Sequence, residues 1–235
     1  MQEALPVVMV PGLLCTPRLY AEQIPALWRF GPVTIADHTR DDSMSAIAQR
    51  ILSLAPPQFA LVGLSMGGYV AFEVLRQAPA RVLKLVLLDT TARPDLPEQT
   101  DARKGQVDLA RRGGFAGISD LLFPRFVAAS RHGDEALKAI VRTMAQDVGA
   151  DAFVRQQTAI MNRVDSGPGL AAISCPTLVV VGEQDVLTPP DRAAEIAAAV
   201  PNARRLVVPD CGHLSTLEQP QTVTRALTEF LAAGS

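Results

Sequence analysis

Three residues whose types together could activate a hydroxyl for attack on a carbonyl stand far apart in this chain: Ser65, Asp185 and His213. Ser65 is the centre of Gly63-Leu64-Ser65-Met66-Gly67, a G-x-S-x-G pattern between the apolar run Phe59-Ala60-Leu61-Val62 and a helical stretch. Strand, sharp turn, helix is the setting in which this pattern presents a nucleophile. Such a turn strains the central residue and pushes its side chain outward. Side chains at 63 and 67 would collide with the neighbouring strand and helix, which accounts for glycine at both. The bland alternative is a glycine turn with an incidental serine, and the partners of Ser65 argue against it.

A serine hydroxyl is a poor nucleophile without a base, and the chain has only three histidines. His132, in Ser130-Arg131-His132-Gly133, reads as a solvated loop residue. His38 follows a strand but lacks a glycine turn that would present it. His213, in Asp210-Cys211-Gly212-His213, comes directly after the last β-run, at the carboxyl edge of a sheet. Catalytic groups of open α/β sheets gather at that edge. The base needs an acid to fix its tautomer and stabilise the imidazolium. Asp185 follows the strand ending Val180-Val181 and precedes Thr188-Pro189-Pro190, and the chain order Ser65, Asp185, His213 is the one expected for this arrangement. Asp89 is the competitor, also just past a strand, and its alternative role is to cap a turn with Thr90 and Thr91. Glu183 is a weaker one. Acyl transfer also needs donors for an oxyanion. The Met66 amide, next after the nucleophile, would supply one, and the loop Pro11-Gly12-Leu13-Leu14 the second, from Leu13.

The elements that must position these residues follow from periodicity. Val7–Val10, Val33–Ala36, Phe59–Val62, Val82–Leu88, Thr177–Val181 and Leu206–Val208 read as strands. Helices are expected from Ser43, an N-cap, to Leu54, from about Tyr69 to Ala78, and over Asp191–Val200 and Gln221–Leu231. Strands alternating with helices predict an α/β fold, a mostly parallel sheet with helices on both faces. Between Arg93 and Ala172 the alternation stops. Helical spacing there covers Thr100–Arg112, Ile118–Ala129, Glu135–Gln146 and Asp151–Arg163, so residues 1–92 and 173–235 are expected to form the core and 93–172 an inserted helical lid.

Bulk properties narrow the function classes. Hydrophobic residues make up 48% and charged residues 20%, and the formal net charge is -2 with scattered Lys and Arg. No basic footprint for nucleic acid or an anionic membrane emerges. No apolar stretch is long enough to span a bilayer. The start, Met1-Gln2-Glu3-Ala4-Leu5-Pro6, lacks the basic and apolar regions of a signal peptide. Three widely spaced cysteines, Cys15, Cys175 and Cys211, fit a reducing cytoplasm better than a disulfide framework. Cys211 lies two residues before His213, yet no second Cys/His pair completes a metal site, so it reads as a small buried side chain.

Taken together, Val8-Met9-Val10-Pro11-Gly12, Gly63-Leu64-Ser65-Met66-Gly67-Gly68, Val181-Gly182-Glu183-Gln184-Asp185 and Cys211-Gly212-His213 resemble the α/β-hydrolase superfamily over nearly the whole chain. The likeness is to its small lidded esterase-like branch, which also holds C–C hydrolases, lactonases and thioesterases. One departure is Pro11-Gly12, where members often have His-Gly. Ser65 in place of Asp argues against the haloalkane dehalogenases and epoxide hydrolases of this fold. The resemblance implies hydrolysis of a carboxylic ester through an acyl-enzyme, with no metal or cofactor and a small-molecule substrate. Its rivals are lactone, thioester or C–C cleavage on the same residues, and a ligand-binding receptor, which turnover beyond one equivalent would separate. A carrier-protein thioesterase would carry a basic docking face, but Arg103, Lys104, Arg111, Arg112 and Arg125 are offset by a similar number of acids. The expected pocket is apolar and favours uncharged acyl groups, with surface from Leu14, Phe115, Leu122, Phe126, Met144, Phe153 and Leu214, and from Leu121 and Met161.

Overall fold

The computed structural model describes residues 4–233. Met1-Gln2-Glu3, where part of the signal-peptide reading falls, and the last two residues of the expected core lie outside them. Six strands form one sheet: β1 (Val7–Val10), β2 (Val33–Ile35), β3 (Phe59–Leu64), β4 (Val82–Leu88), β5 (Thr177–Gly182) and β6 (Ala203–Val208). Their order is β2-β1-β3-β4-β5-β6 and every pairing is parallel. Strands β1, β3 and β5 are buried along their whole length. That is why they read as continuous apolar runs and not as alternation.

Successive side chains point to opposite faces of a strand, so one run feeds two cores. Met9, Val62, Leu64 and Leu88 pack on one face with Leu27, Leu227 and Phe230. Val10, Leu61, Leu85 and Leu87 pack on the other with Ile47, Val70 and Ile196. The helices supplying these residues are α1 (Ile24–Leu27), α2 (Met44–Leu54), α3 (Met66–Gln77), α8 (Pro190–Ala199) and α10 (Pro220–Ala232). Ser43 caps α2, its hydroxyl accepting from the Ala46 amide at 3.2 Å. Helix α3 begins at Met66, three residues earlier than the periodicity suggests, because the turn at Ser65 has no intervening loop. Lys84 is the polar exception in β4. Its buried ammonium donates to the carbonyls of Phe230 (3.2 Å), Leu231 (3.1 Å) and Ala233, the open C-terminal end of α10, where a cation is favoured.

Between β4 and β5 the chain forms four helices, α4 (Pro97–Arg111), α5 (Ile118–Phe126), α6 (Glu135–Val148) and α7 (Ala150–Met161). No strand interrupts them. No helix among the described residues is long and apolar enough to cross a membrane. One short helix after β6, α9 (Ser215–Glu218), has no counterpart in the periodicity because four residues are too few to show one.

Candidate active site

The parallel sheet delivers the carboxyl ends of β1, β3, β5 and β6 to one edge, and the singled-out residues follow those ends. Ser65 stands one residue beyond β3, at φ 54° and ψ -112°. A residue with a side chain rarely adopts this left-handed region, and here the surroundings impose it. The Ser65 amide donates to the Leu88 carbonyl at 2.9 Å, and the Ser65 carbonyl accepts from the Thr90 hydroxyl at 2.8 Å. A Cβ at Gly63 would lie 2.3 Å from the Gly67 carbonyl oxygen, and one at Gly67 would lie 2.0 Å from that of Val10. The turn is therefore tight on both sides of the serine.

Ser65, His213 and Asp185 meet. His213 Nε2 is 2.9 Å from Ser65 Oγ, and His213 Nδ1 is 2.8 Å from Asp185 Oδ2. Asp185 is itself fixed: Oδ1 accepts from the amides of Leu187 (2.8 Å) and Thr188 (3.0 Å), and Oδ2 from the Thr188 hydroxyl at 2.7 Å. His213 and Asp185 are both buried. Burial alone would raise the Asp185 pKa, but the charge and hydrogen bond of His213 and the Thr188 donors hold it below the usual carboxylate value. Burial would lower the His213 pKa, and the Asp185 carboxylate outweighs it, so the imidazole ends above its usual value. This arrangement can take a proton from a serine hydroxyl and stabilise the resulting imidazolium.

Asp89 occupies a different place from the one its neighbours suggest. Its carboxylate does not cap Thr90 and Thr91. Oδ1 accepts from the Gly182 amide at 2.9 Å, and Oδ2 from the Ser215 hydroxyl at 2.5 Å and the Ser215 amide at 3.3 Å. The chain turns through φ 45° at Asp89, which swings the carboxylate inward between β5 and α9. Burial and the nearby Asp185 charge push its pKa up to about 8. Glu183 is exposed, and His132 is exposed as expected.

The His213 loop is clamped by bonds that the local sequence does not mark. The amides of His213 and Leu214 both donate to the Phe126 carbonyl, at 3.1 and 3.0 Å. Glu218, on α9, accepts from Gly212 at 3.0 Å and from Ala128 at 2.7 Å. Together these bonds tie the loop to the end of α5.

The loop after β1 is clamped in the same way. His38 is buried, and its Nε2–H donates to the Gly12 carbonyl at 2.9 Å. Gln156 of α7 is buried, and its Oε1 accepts from the Leu14 amide at 3.2 Å, with Leu14 held at φ 60°. His38 therefore has a partner despite lacking a presenting turn. Nothing in the local sequence marks it, because the bond spans 26 residues and Gln156 reaches across 142. The amides of Leu13 and Met66 find no protein acceptor among the described residues. Cys211, two residues before His213, is fully buried, and burial pushes its thiol pKa up.

A cavity of about 440 Å³ opens over Ser65, bounded by core and inserted helices alike. Of the residues singled out for a pocket, Leu14, Leu122, Phe126, Met144 and Leu214 line it, and Leu13 lies beside them. Phe115 and Phe153 do not. Their rings pack on each other at 5.7 Å, and Phe153 is wholly buried in the core beneath. Leu121 and Met161 also lie outside the lining. Leu121 is one position, about 100° of helix, from Leu122 and faces solvent. Charged side chains join this apolar surface: Arg93, Arg103, Arg125, Arg163 and Arg192 share the wall with Asp95 and Asp165.

Residues 7–226 match the sequence profile described as "Alpha/beta hydrolase family". A pimeloyl-[acyl-carrier protein] methyl ester esterase of Edwardsiella ictaluri is 27% identical over 233 residues, covering 94% of this chain and 86% of that one. The structure of a thermophilic esterase from Thermogutta terrifontis, with malate bound, superimposes with a TM-score of 0.88 at 32% identity, covering 97% of this chain and 89% of the other. The enol-lactonase of Burkholderia xenovorans LB400 also reaches 0.88, at 23% identity and 98% and 92% coverage, a likeness of fold.

Proposed function

The chain belongs to the alpha/beta hydrolase family, and from that premise we propose that it hydrolyses carboxylic esters through an acyl-enzyme on Ser65. The observation that carries the reading is the unbroken path Ser65 Oγ, His213 Nε2, His213 Nδ1, Asp185 Oδ2, with contacts of 2.9 and 2.8 Å. His213 takes the Ser65 proton as Oγ attacks the ester carbonyl. The tetrahedral oxyanion is held by the amides of Leu13 and Met66, which no protein group occupies. As that intermediate collapses, the proton passes from His213 to the leaving alkoxide and the acyl group stays on Ser65. Water, activated by His213, then attacks the acyl-enzyme, and its collapse returns the proton to Ser65 and frees the acid. Asp185 keeps the Nδ1–H tautomer throughout, leaving Nε2 free to accept.

Two relatives described as esterases, one at 32% identity, support an ester over the other bonds this fold can cleave. The inserted helices α4–α7 act as a lid in this reading, since they supply much of the wall around Ser65. The test is a panel of aryl and alkyl esters of graded acyl length, with lactones and thioesters alongside, run on the enzyme and on Ser65→Ala. Loss of the nucleophile costs on the order of a millionfold in kcat in an enzyme of this type. A Ser65→Ala protein that retained a tenth of the ester turnover would end the proposal.

A further inference from the structure

The wall of the Ser65 cavity carries five arginines, and their partners differ. Arg93 and Arg192 both pair with Glu195. Arg163 is a structural part of the wall. Its side chain is 6% exposed, Nη1 donates to Asp95 Oδ1 at 2.8 Å and to the Ile160 carbonyl at 2.9 Å, and Nε and Nη2 both reach the Arg93 carbonyl. Its guanidinium lies 4.2 Å from the Tyr69 ring centroid.

Arg103, on α4, is different. Its Nε donates to Asp95 Oδ2 at 2.7 Å and its Nη1 to Gln157 Oε1 at 2.9 Å. Nη2 has no acceptor among the described residues, although the side chain is only 21% exposed and lines the cavity. A guanidinium has five N–H donors, so three of those on Arg103 lack a protein acceptor. The charge is equally unbalanced. The Asp95 side chain is 2% exposed and is the one carboxylate shared by Arg103 and Arg163, so this largely buried trio of side chains carries one net positive charge. Uncompensated charge is costly away from water. Arg125 lines the same cavity and has no carboxylate within 4.0 Å among the described residues, which adds to the positive field there. The remaining acid on the wall, Asp165, is exposed and accepts from the Gly167 amide.

We propose that Arg103 binds a carboxylate on the substrate, so that the preferred esters are half-esters of dicarboxylic acids. The inference rests on the ester-hydrolase reading and names its substrate class. A planar fork with unused donors matches the two oxygens of a carboxylate. One net positive charge matches a monoanion, whereas a phosphate monoester brings ~1.5 to 2 negative charges.

The test compares kcat/KM for the monomethyl esters of succinate, glutarate and adipate with the neutral methyl esters of equal chain length. Half-esters should be favoured by about tenfold or more, as expected for a charge-assisted hydrogen bond. In Arg103→Met that ratio should fall towards one. Arg103→Lys, which keeps the charge and loses the fork, should fall between. Because Arg103 also holds Asp95, the unaltered enzyme supplies a second measurement. Glutarate should compete with p-nitrophenyl acetate for the site, and glutaramide should not. Neutral and anionic esters turned over equally well, or a ratio unchanged in Arg103→Met, would overturn the inference and leave the ester reading standing. Glutarate that raised the thermal midpoint of a protein inert to every ester would end the ester reading and keep the anion site.

Discussion

Replacing Asp185 by Asn tests the relay at its least visible joint. Asp185 Oδ1 holds two backbone amides, Leu187 and Thr188, at 2.8 and 3.0 Å. An asparagine must keep its carbonyl oxygen there, since the flipped amide would place NH2 against two N–H groups. The NH2 then takes the Oδ2 position and faces His213 Nδ1, 2.8 Å away in the parent. Two donors cannot share that contact, so the imidazole turns to its Nε2–H tautomer and Nε2 no longer accepts from Ser65 Oγ. In a comparable serine enzyme this exchange costs on the order of 10⁴-fold in kcat, about 5.4 kcal/mol at ~1.36 kcal/mol per tenfold. Asp89→Asn is the matched control, because Asp89 is also buried after a strand. Its oxygen keeps the Gly182 amide and its NH2 can donate to the Ser215 hydroxyl, losing only the long 3.3 Å contact with the Ser215 amide, so kcat should change by less than about tenfold. The assay is kcat on one aryl ester for both variants, with the thermal midpoint of each. A large loss confined to Asp89→Asn, or equal losses in both, would refute the assignment.

Two further outcomes follow from the buried charges. His213 must be neutral to accept a proton, and Asp185 holds its pKa above the usual value of 6.5. The acid limb of a pH–kcat/KM profile should therefore fall above 6.5, and in Asp185→Asn, where the charge and hydrogen bond of Asp185 are gone and only Asp89 and Glu218 still oppose burial, the limb should move to lower pH. An unmoved limb would separate that titration from His213. Asp89 has a folded pKa of about 8 against about 3.9 unfolded. Its contribution to stability is present in full at pH below the unfolded value and declines as pH rises towards 8, because there the unfolded chain has shed a proton that the folded one keeps. Thermal midpoints of Asp89→Asn should thus fall less than those of the parent between about pH 4 and 8. Parallel curves would show that Asp89 does not titrate in that window.

The alternation of strand and helix, and the position of Ser65, Asp185 and His213 at strand ends, were legible from the residues because they rest on local facts. Apolar runs of β-branched residues need burial on both faces, and Gly63 and Gly67 leave room for a turn that other residues would block. Helical spacing in 93–172 was equally local, while Ser215–Glu218 was too short to leave a period. What the sequence could not carry is pairing across distance. Asp89 sits beside Thr90 and Thr91, yet its partners Gly182 and Ser215 arrive 93 and 126 residues later. His38 and Gln156 acquire their places on the loop after β1 only when β1, β2 and α7 are assembled. The aromatic residues of the inserted helices could be expected to be apolar surface, but the face that Phe153 buries was decided by packing against Phe115. The arginines carry the clearest lesson. Counted along the chain they are balanced by acids, and no window stands out. Folding brings five of them to one cavity, and Asp95 must serve two of them, so a charge that composition cancels survives at one place in space.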